Sequence, residues 1–240
     1  GMGGAGGLVE GPITEDISFI GSYRRSYLDI ISDAINAGGG LPSYGDLQGK
    51  LKYNPSHFSA YTILFINGNS LYERGKTESI SAEENTYGSF KNNQNTIGLA
   101  HKYIWNKNIY SNTSLSLSYQ DAKATFYENK SDTISLRTND LYKTFNARQL
   151  NHIRFNELIG GLFGVEIQNR NLDYDFLLNN IESKNDVSVT NLSSFLTFQS
   201  ALFNKALISL GFRFNWNSHE EDILIAPRIN IDYSLDRGWG

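Results

Sequence analysis

Side chains along this chain alternate in character with a period of two, and the clearest case is the stretch from Ala206 to Leu235. Ile208, Leu210, Phe212, Phe214 and Trp216 share one parity, while Ser209, Gly211, Arg213 and Asn215 share the other. After a short polar break, Ile225, Pro227, Ile229, Ile231 and Tyr233 alternate with Ala226, Arg228, Asn230 and Asp232. This pattern predicts a β-hairpin with one apolar and one wet face. Each apolar row runs for roughly ten residues, the length a tilted strand needs to cross a bilayer, and aromatic residues stand at its ends.

The same rhythm predicts about eleven strands in all. Strand one covers roughly 6–13 and strand two roughly 16–29, with Ile17, Phe19, Gly21, Tyr23 and Tyr27 on the outer parity. Later apolar rows are Leu47, Gly49, Leu51 and Tyr53, then Tyr61, Ile63 and Phe65, then Ile97, Leu99, Tyr103 and Trp105. Leu115, Leu117 and Tyr119 against Ser114, Ser116 and Ser118 make the cleanest alternation. Strand seven, roughly 141–155, is the least regular, because Gln149 and Asn151 fall on the apolar parity. Strands eight and nine offer Phe163, Val165 and Ile167, then Leu192, Leu196, Phe198 and Leu202.

Tight turns at 14–15, 54–56, 106–108, 156–157 and 204–205 alternate with longer polar segments at 30–43, 73–94, 130–140 and 179–186. Outer-membrane barrels have short periplasmic turns and long extracellular loops, so the alternation predicts an all-β, antiparallel, up-and-down transmembrane barrel. Nothing resembling a linker divides the chain, and 1–240 reads as one domain.

Composition agrees with this without deciding it. The 240 residues are 40% hydrophobic, and no run approaches the roughly 18 apolar residues of a helical span. A barrel escapes that test, since only alternate residues need be apolar. Aromatics at 13%, with 14 Tyr and 14 Phe, suit interfacial girdles. The absence of cysteine excludes a disulfide framework and a thiolate metal site. A net charge of −4 gives no basic footprint for nucleic acid. The opening GMGGAGGLVE lacks the basic and apolar regions of a signal peptide, and an outer-membrane protein must be exported, so we expect a piece cut from a longer chain.

Two segments carry a family resemblance. LGFRFNW followed by PRINIDYSL fits L-G-x-R-x-x-W, a turn, and P-R-x-x-x-x-Y-x-L; near the N-terminus stands LVEGPI, with SFIGSYRRSYLDII shortly after it. Together these resemble barrel strands of TonB-dependent outer-membrane receptors of the Bacteroidetes type. The EGPI segment corresponds to the first strands after the plug. The resemblance implies a partial barrel of about eleven strands, half of a 22-stranded one, with the plug, the box that engages the energising partner and the closing strands outside this chain.

It further implies import of a scarce nutrient, of the siderophore, vitamin or glycan class, across the outer membrane of a Gram-negative cell. Implied partners are outer-membrane lipid, the receptor's own plug and remaining strands, the TonB system acting through the plug, and the nutrient. A passive porin or structural barrel is the alternative. An outer-membrane enzyme such as a lipase or acyltransferase stands third, because no Ser/His pair can be placed on the wall. No enzymatic activity, cofactor or nucleic-acid partner is expected.

Parity sorts the remaining residues. Arg24, Lys50, Lys52, Lys102, Arg148, Arg154, Arg213 and Arg228 face the lumen, with Glu166 and Asp232 as the main acids. Leu115, Leu117, Tyr119, Leu210, Phe212, Phe214, Trp216, Ile229 and Ile231 face lipid. A basic side chain facing lipid at mid-depth costs about 2–4 kcal/mol, which forces the sorting. The basic wall suits pairing with plug carboxylates ahead of an anionic ligand. Recognition is expected in segments 30–43, with Leu41, Pro42 and Tyr44, and 73–94, with Tyr87 and Phe90.

Other chemistry is thin. His57, His101, His152 and His219 lack ligand spacing and read as ordinary turn or wall residues. Asp173 with Asp175, and Glu220, Glu221 and Asp222, have the composition of a calcium loop, but acidic clusters in exposed segments are ordinarily solvated. In Tyr23-Arg24-Arg25-Ser26, parity leaves Arg24 inside and lets Arg25 snorkel to an interface.

Overall fold

Eleven strands form a single antiparallel sheet, each hydrogen-bonded to its neighbour in sequence, in a computed structural model that describes residues 4–28, 42–202, 206–220 and 222–233. The strands are β1 (Gly4–Pro12), β2 (Ile17–Ser26), β3 (Ser43–Ser56), β4 (Ser59–Arg74), β5 (Thr86–Asn106) and β6 (Ile109–Glu128), followed by β7 (Ile134–Arg154), β8 (Ile159–Leu178), β9 (Ile181–Leu202), β10 (Ala206–Asn217) and β11 (Ile223–Tyr233). A short helix, α1 (Lys76–Ser81), lies between β4 and β5. The sheet is open, with β1 and β11 at its edges.

Partners across an antiparallel ladder project to the same side, so the register carries one parity through the whole sheet. Leu51, Ile63, Leu99, Leu115, Ala147, Ile167 and Leu192 are successive partners, and so are Gly49, Phe65, Ile97, Leu117 and Phe145. The intervening residues make a polar face. The described residues place no core behind the apolar one. Among the described residues the buried apolar side chains are Ala122 and Ala124, whereas Leu117 is 57%, Phe212 64% and Ile229 69% exposed. A monomer in water rarely shows an apolar patch beyond a few hundred Å², so this face demands an apolar solvent or a partner.

Turns at one end are short, and asparagine builds two of them. Asn106 Oδ1 accepts from the Asn108 amide at 2.8 Å, and Asn156 Oδ1 accepts from Leu158 and Ile159 at 2.9 and 2.8 Å. Such side-chain turns need few residues. The expected turn at 54–56 sits slightly later, because β3 runs to Ser56 through a register irregularity. The expected turn at 204–205, like Glu221, Leu41 and most of segment 30–43, lies outside the described residues.

Beside these turns an aromatic ladder crosses the apolar face. Tyr61 stacks on His101 at 4.2 Å, Tyr103 meets Trp105 edge-on at 4.8 Å, and the Trp105 indole donates to Ser111 Oγ at 2.8 Å. Gln149 and Asn151, the irregular pair, satisfy each other: the Thr113 hydroxyl donates to Gln149 Oε1, and Gln149 Nε2 donates to Asn151 Oδ1 at 3.1 Å.

The other end differs from expectation. Segments 130–140 and 179–186 are mostly strand and 73–94 is half strand, so the connections shrink to about 75–85, 129–133 and 179–180. Strands β5 to β9 are 20–22 residues long, twice what a bilayer requires. On the apolar face their upper halves turn polar, from Ile97 to Asn95 and Asn93 in β5 and from Ile167 to Asn169 and Asn171 in β8. A strand wet on both faces loses its alternation and reads as loop.

The β4–β5 connection is pinned in place. Ser79, fully buried, donates to the Thr86 carbonyl at 2.6 Å and accepts from Asn129 at 2.9 Å. Lys76 and the Tyr87 hydroxyl both donate to Asp132 Oδ1, at 2.5 and 2.8 Å, and the Tyr87 ring stacks on Tyr127. Those two donors hold the Asp132 carboxyl below the ordinary carboxylate range, Lys76 first, and the bond to Asp132 raises the Tyr87 hydroxyl. Asp132 therefore contributes stability above its unfolded-state value that is lost as pH falls through its lowered one. Tyr87 contributes below its unfolded-state value and loses this as pH rises through its raised one. Amide exchange of residues 76–81, corrected for intrinsic rate, is expected to quicken at both extremes and stay slow between; a flat profile would remove the clamp.

Candidate functional site

The polar face gathers the basic residues the parity assigned to it, and the register explains how. Lys50 lies between Ile20 and Leu64, Lys52 between Ser18 and Thr62, Lys102 between Ala60 and Asn112, and Arg148 between Ser114 and Glu166. Arg154, Arg213 and Arg228 share this face, as do Glu166 and Asp232. The nine apolar residues, Leu115, Leu117, Tyr119, Leu210, Phe212, Phe214, Trp216, Ile229 and Ile231, stand on the opposite one.

Two clusters organise the basic residues. In the first, Arg24 Nη2 meets Asp46 Oδ2 at 2.7 Å, Gln48 donates to Asp46 Oδ1 at 3.3 Å, and the guanidinium lies 5.4 Å from the Tyr44 ring centre. In the second, Phe195 is flanked by the guanidiniums of Arg148 and Arg213, at 5.8 and 5.6 Å. Its ring lies where a Cβ on Gly164 would come within 2.3 Å, so Gly164 makes room for it. Arg213 also donates to Asn215 at 2.8 Å and Ser193 at 3.2 Å, and faces Glu166 at 3.7 Å. Arg213, Asn215, Ser193 and Glu166 line a recess of about 360 Å³ that also touches Glu220 and Asp222.

Such an arrangement suits anions or carboxylate-bearing partners. Lys50, Lys52, Lys102, Arg148 and Arg228 form no ion pair with described residues. Lys102 instead lies 4.9 Å over Tyr110, on which His152 stacks at 4.3 Å. Asp140, higher on the same face, has its carboxyl pushed up by burial.

Candidate ligand residues separate. Tyr44 and Phe90 stand on the polar face, Phe90 beside Tyr72 and Ala124. Tyr87 stands on the other face with its hydroxyl committed to Asp132. Asp173 and Asp175 lie on β8, Glu220 and Asp222 at the β10–β11 connection. Sequence reasoning missed Asp46, which lies one residue before the assumed start of strand three yet shares parity with Gln48 and Lys50. It also missed Phe195, whose signal is an aromatic residue on the wet parity between Ser193 and Thr197.

No protein-family model matches this chain, and no curated protein sequence does. Solved structures do. FpvA of Pseudomonas aeruginosa, bound to heterologous pyoverdines, superposes over 98% of this chain and 40% of its own, with a TM-score of 0.72 and 10% identity. The siderophore receptor PirA from Acinetobacter baumannii gives 0.64 and 14% over 98% of this chain and 38% of its own. The ferric yersiniabactin uptake receptor FyuA from Yersinia pestis gives 0.62 and 13% over 96% and 42%. The chain thus has the fold of part of a TonB-dependent receptor barrel and spans about two-fifths of the length of these structures.

Proposed function

We propose that this chain is a stretch of barrel wall from a TonB-dependent receptor of the Bacteroidetes type. In this reading the whole protein sits in the outer membrane of a Gram-negative cell and imports a scarce nutrient of the siderophore, vitamin or glycan class. The observation that carries the reading is the superposition of 96–98% of the chain on a siderophore receptor, a ferric yersiniabactin uptake receptor and a pyoverdine-bound protein. The paired sequence motifs support the subgroup. The apolar face then meets lipid, the aromatic ladder lies at the periplasmic interface, and the long strand ends project outward.

On this reading the polar face lines the lumen, and its unpaired basic residues meet carboxylates of the plug, through which the TonB system acts. Tyr44 and Phe90 reach the ligand from the wall above, while Tyr87 braces the β4–β5 connection. A test uses the intact protein in its own cells, supplied in turn with ferric chelates, cobalamin and oligosaccharides. Uptake of one class should stop when a protonophore collapses the inner-membrane gradient. Uptake that continues unabated would identify a passive porin instead. Tyr44→Ala combined with Phe90→Ala should weaken binding of the imported ligand by about tenfold, roughly 1.4 kcal/mol, with abundance unchanged; unaltered affinity would return both residues to structural roles.

A further inference from the structure

The apolar face is indented where it gives way to polar residues. A recess of about 520 Å³ has Phe65, Ile97, Leu117 and Phe145 along its floor, four consecutive partners across β4 to β7. One row higher, its rim holds Lys143 with Tyr119 and Asn171 as cross-strand partners. Lys143 is the only charged residue of the lining. No described carboxylate pairs with it: Asp121, on the same face, is taken by Lys123 at 3.1 Å. Nearby amides are occupied with one another, Asn171 donating to Asn169 at 2.9 Å and Asn67 to Asn95 at 2.7 Å.

A free anion has no use for four large apolar side chains, and a neutral hydrocarbon has none for an unpaired ammonium. A membrane supplies one class of molecule that needs both. We propose that this recess holds a phosphate-bearing lipid of the surrounding leaflet, with an acyl chain along the Phe65 to Phe145 row and the phosphate on Lys143 Nζ. The inference rests on the membrane reading above. It adds a defined lipid site to what would otherwise be uniform, exchanging lipid contact.

The intact protein, reconstituted in nanodiscs of neutral phosphatidylcholine doped with phosphatidylglycerol, should retain phosphatidylglycerol preferentially when released into native mass spectrometry. Lys143→Gln should lower that retention about fivefold, Lys143→Arg should preserve it, and Lys123→Gln should leave it unchanged. Equal retention in wild type and Lys143→Gln overturns the site, and so does an equal loss in Lys143→Gln and Lys123→Gln, which would mean diffuse attraction. The chain has no cysteine, so a nitroxide on Leu117→Cys reports the environment of the floor. More relaxation by an aqueous nickel chelate than by oxygen would sink the membrane reading itself. A lipid-buried nitroxide with retention indifferent to Lys143 would sink only the recess.

Discussion

Leu117→Arg is expected to lower the stability of the bilayer-embedded barrel by about 2–4 kcal/mol, and Ser116→Arg by less than about 1 kcal/mol. The two residues are adjacent in β6 but stand on opposite faces. Leu117 lies between Ile97 and Phe145 and is 57% exposed, so on the membrane reading its side chain enters hydrocarbon. An arginine there has no partner within its own row and no water. Ser116 lies between Gly98 and Asn146, and its hydroxyl accepts from Asn146 at 3.3 Å. Arginine in its place loses that bond but enters a face that already carries Arg148 and Arg213. Urea unfolding of the intact protein in lipid vesicles measures both. Equal losses at the two positions would remove the lipid and lumen assignments together.

That pair also shows what was legible in the sequence and why. Facing is a property of parity, and a strand wet on one side and apolar on the other writes its parity into every second residue. Leu117, Leu210 and Arg213 were therefore readable. Strand length was not, because Asn93, Asn95, Asn169 and Asn171 continue their strands where both faces are polar, and alternation disappears while hydrogen bonding goes on. Polarity on both faces looks the same in sequence as irregular backbone. The Arg148, Phe195 and Arg213 cluster was unreadable for a third reason, since it depends on the register of β7, β8, β9 and β10 together and on the missing side chain of Gly164. Only its members' parity was visible, and an aromatic residue on the polar face carries no sign of what it packs against. The same holds for the recess around Lys143, whose four floor residues come from four strands.

The 240-residue chain, refolded alone in detergent, is expected not to yield a closed monomer. Its sheet ends at β1 on one side and β11 on the other, and each presents a row of backbone donors and acceptors with no strand of the described residues beside it. In β11 alternate residues turn their backbone N–H and C=O away from β10, and the side chains of Ile223, Leu224, Ile225, Ile229 and Ile231 are 61–69% exposed. Each backbone group left unsatisfied in hydrocarbon costs several kcal/mol, so two open edges of about ten residues outweigh the stability of any ordinary domain. Polar side chains on the other face would be exposed at the same time to whatever fills the open side. The chain should therefore aggregate, pair through its edges or stay partly unfolded, giving a broad profile on size exclusion and no heat-dependent shift on a gel. A monodisperse monomer with full β content and heat-modifiable mobility would mean that eleven strands can close on themselves, and that the wall is a small barrel in its own right.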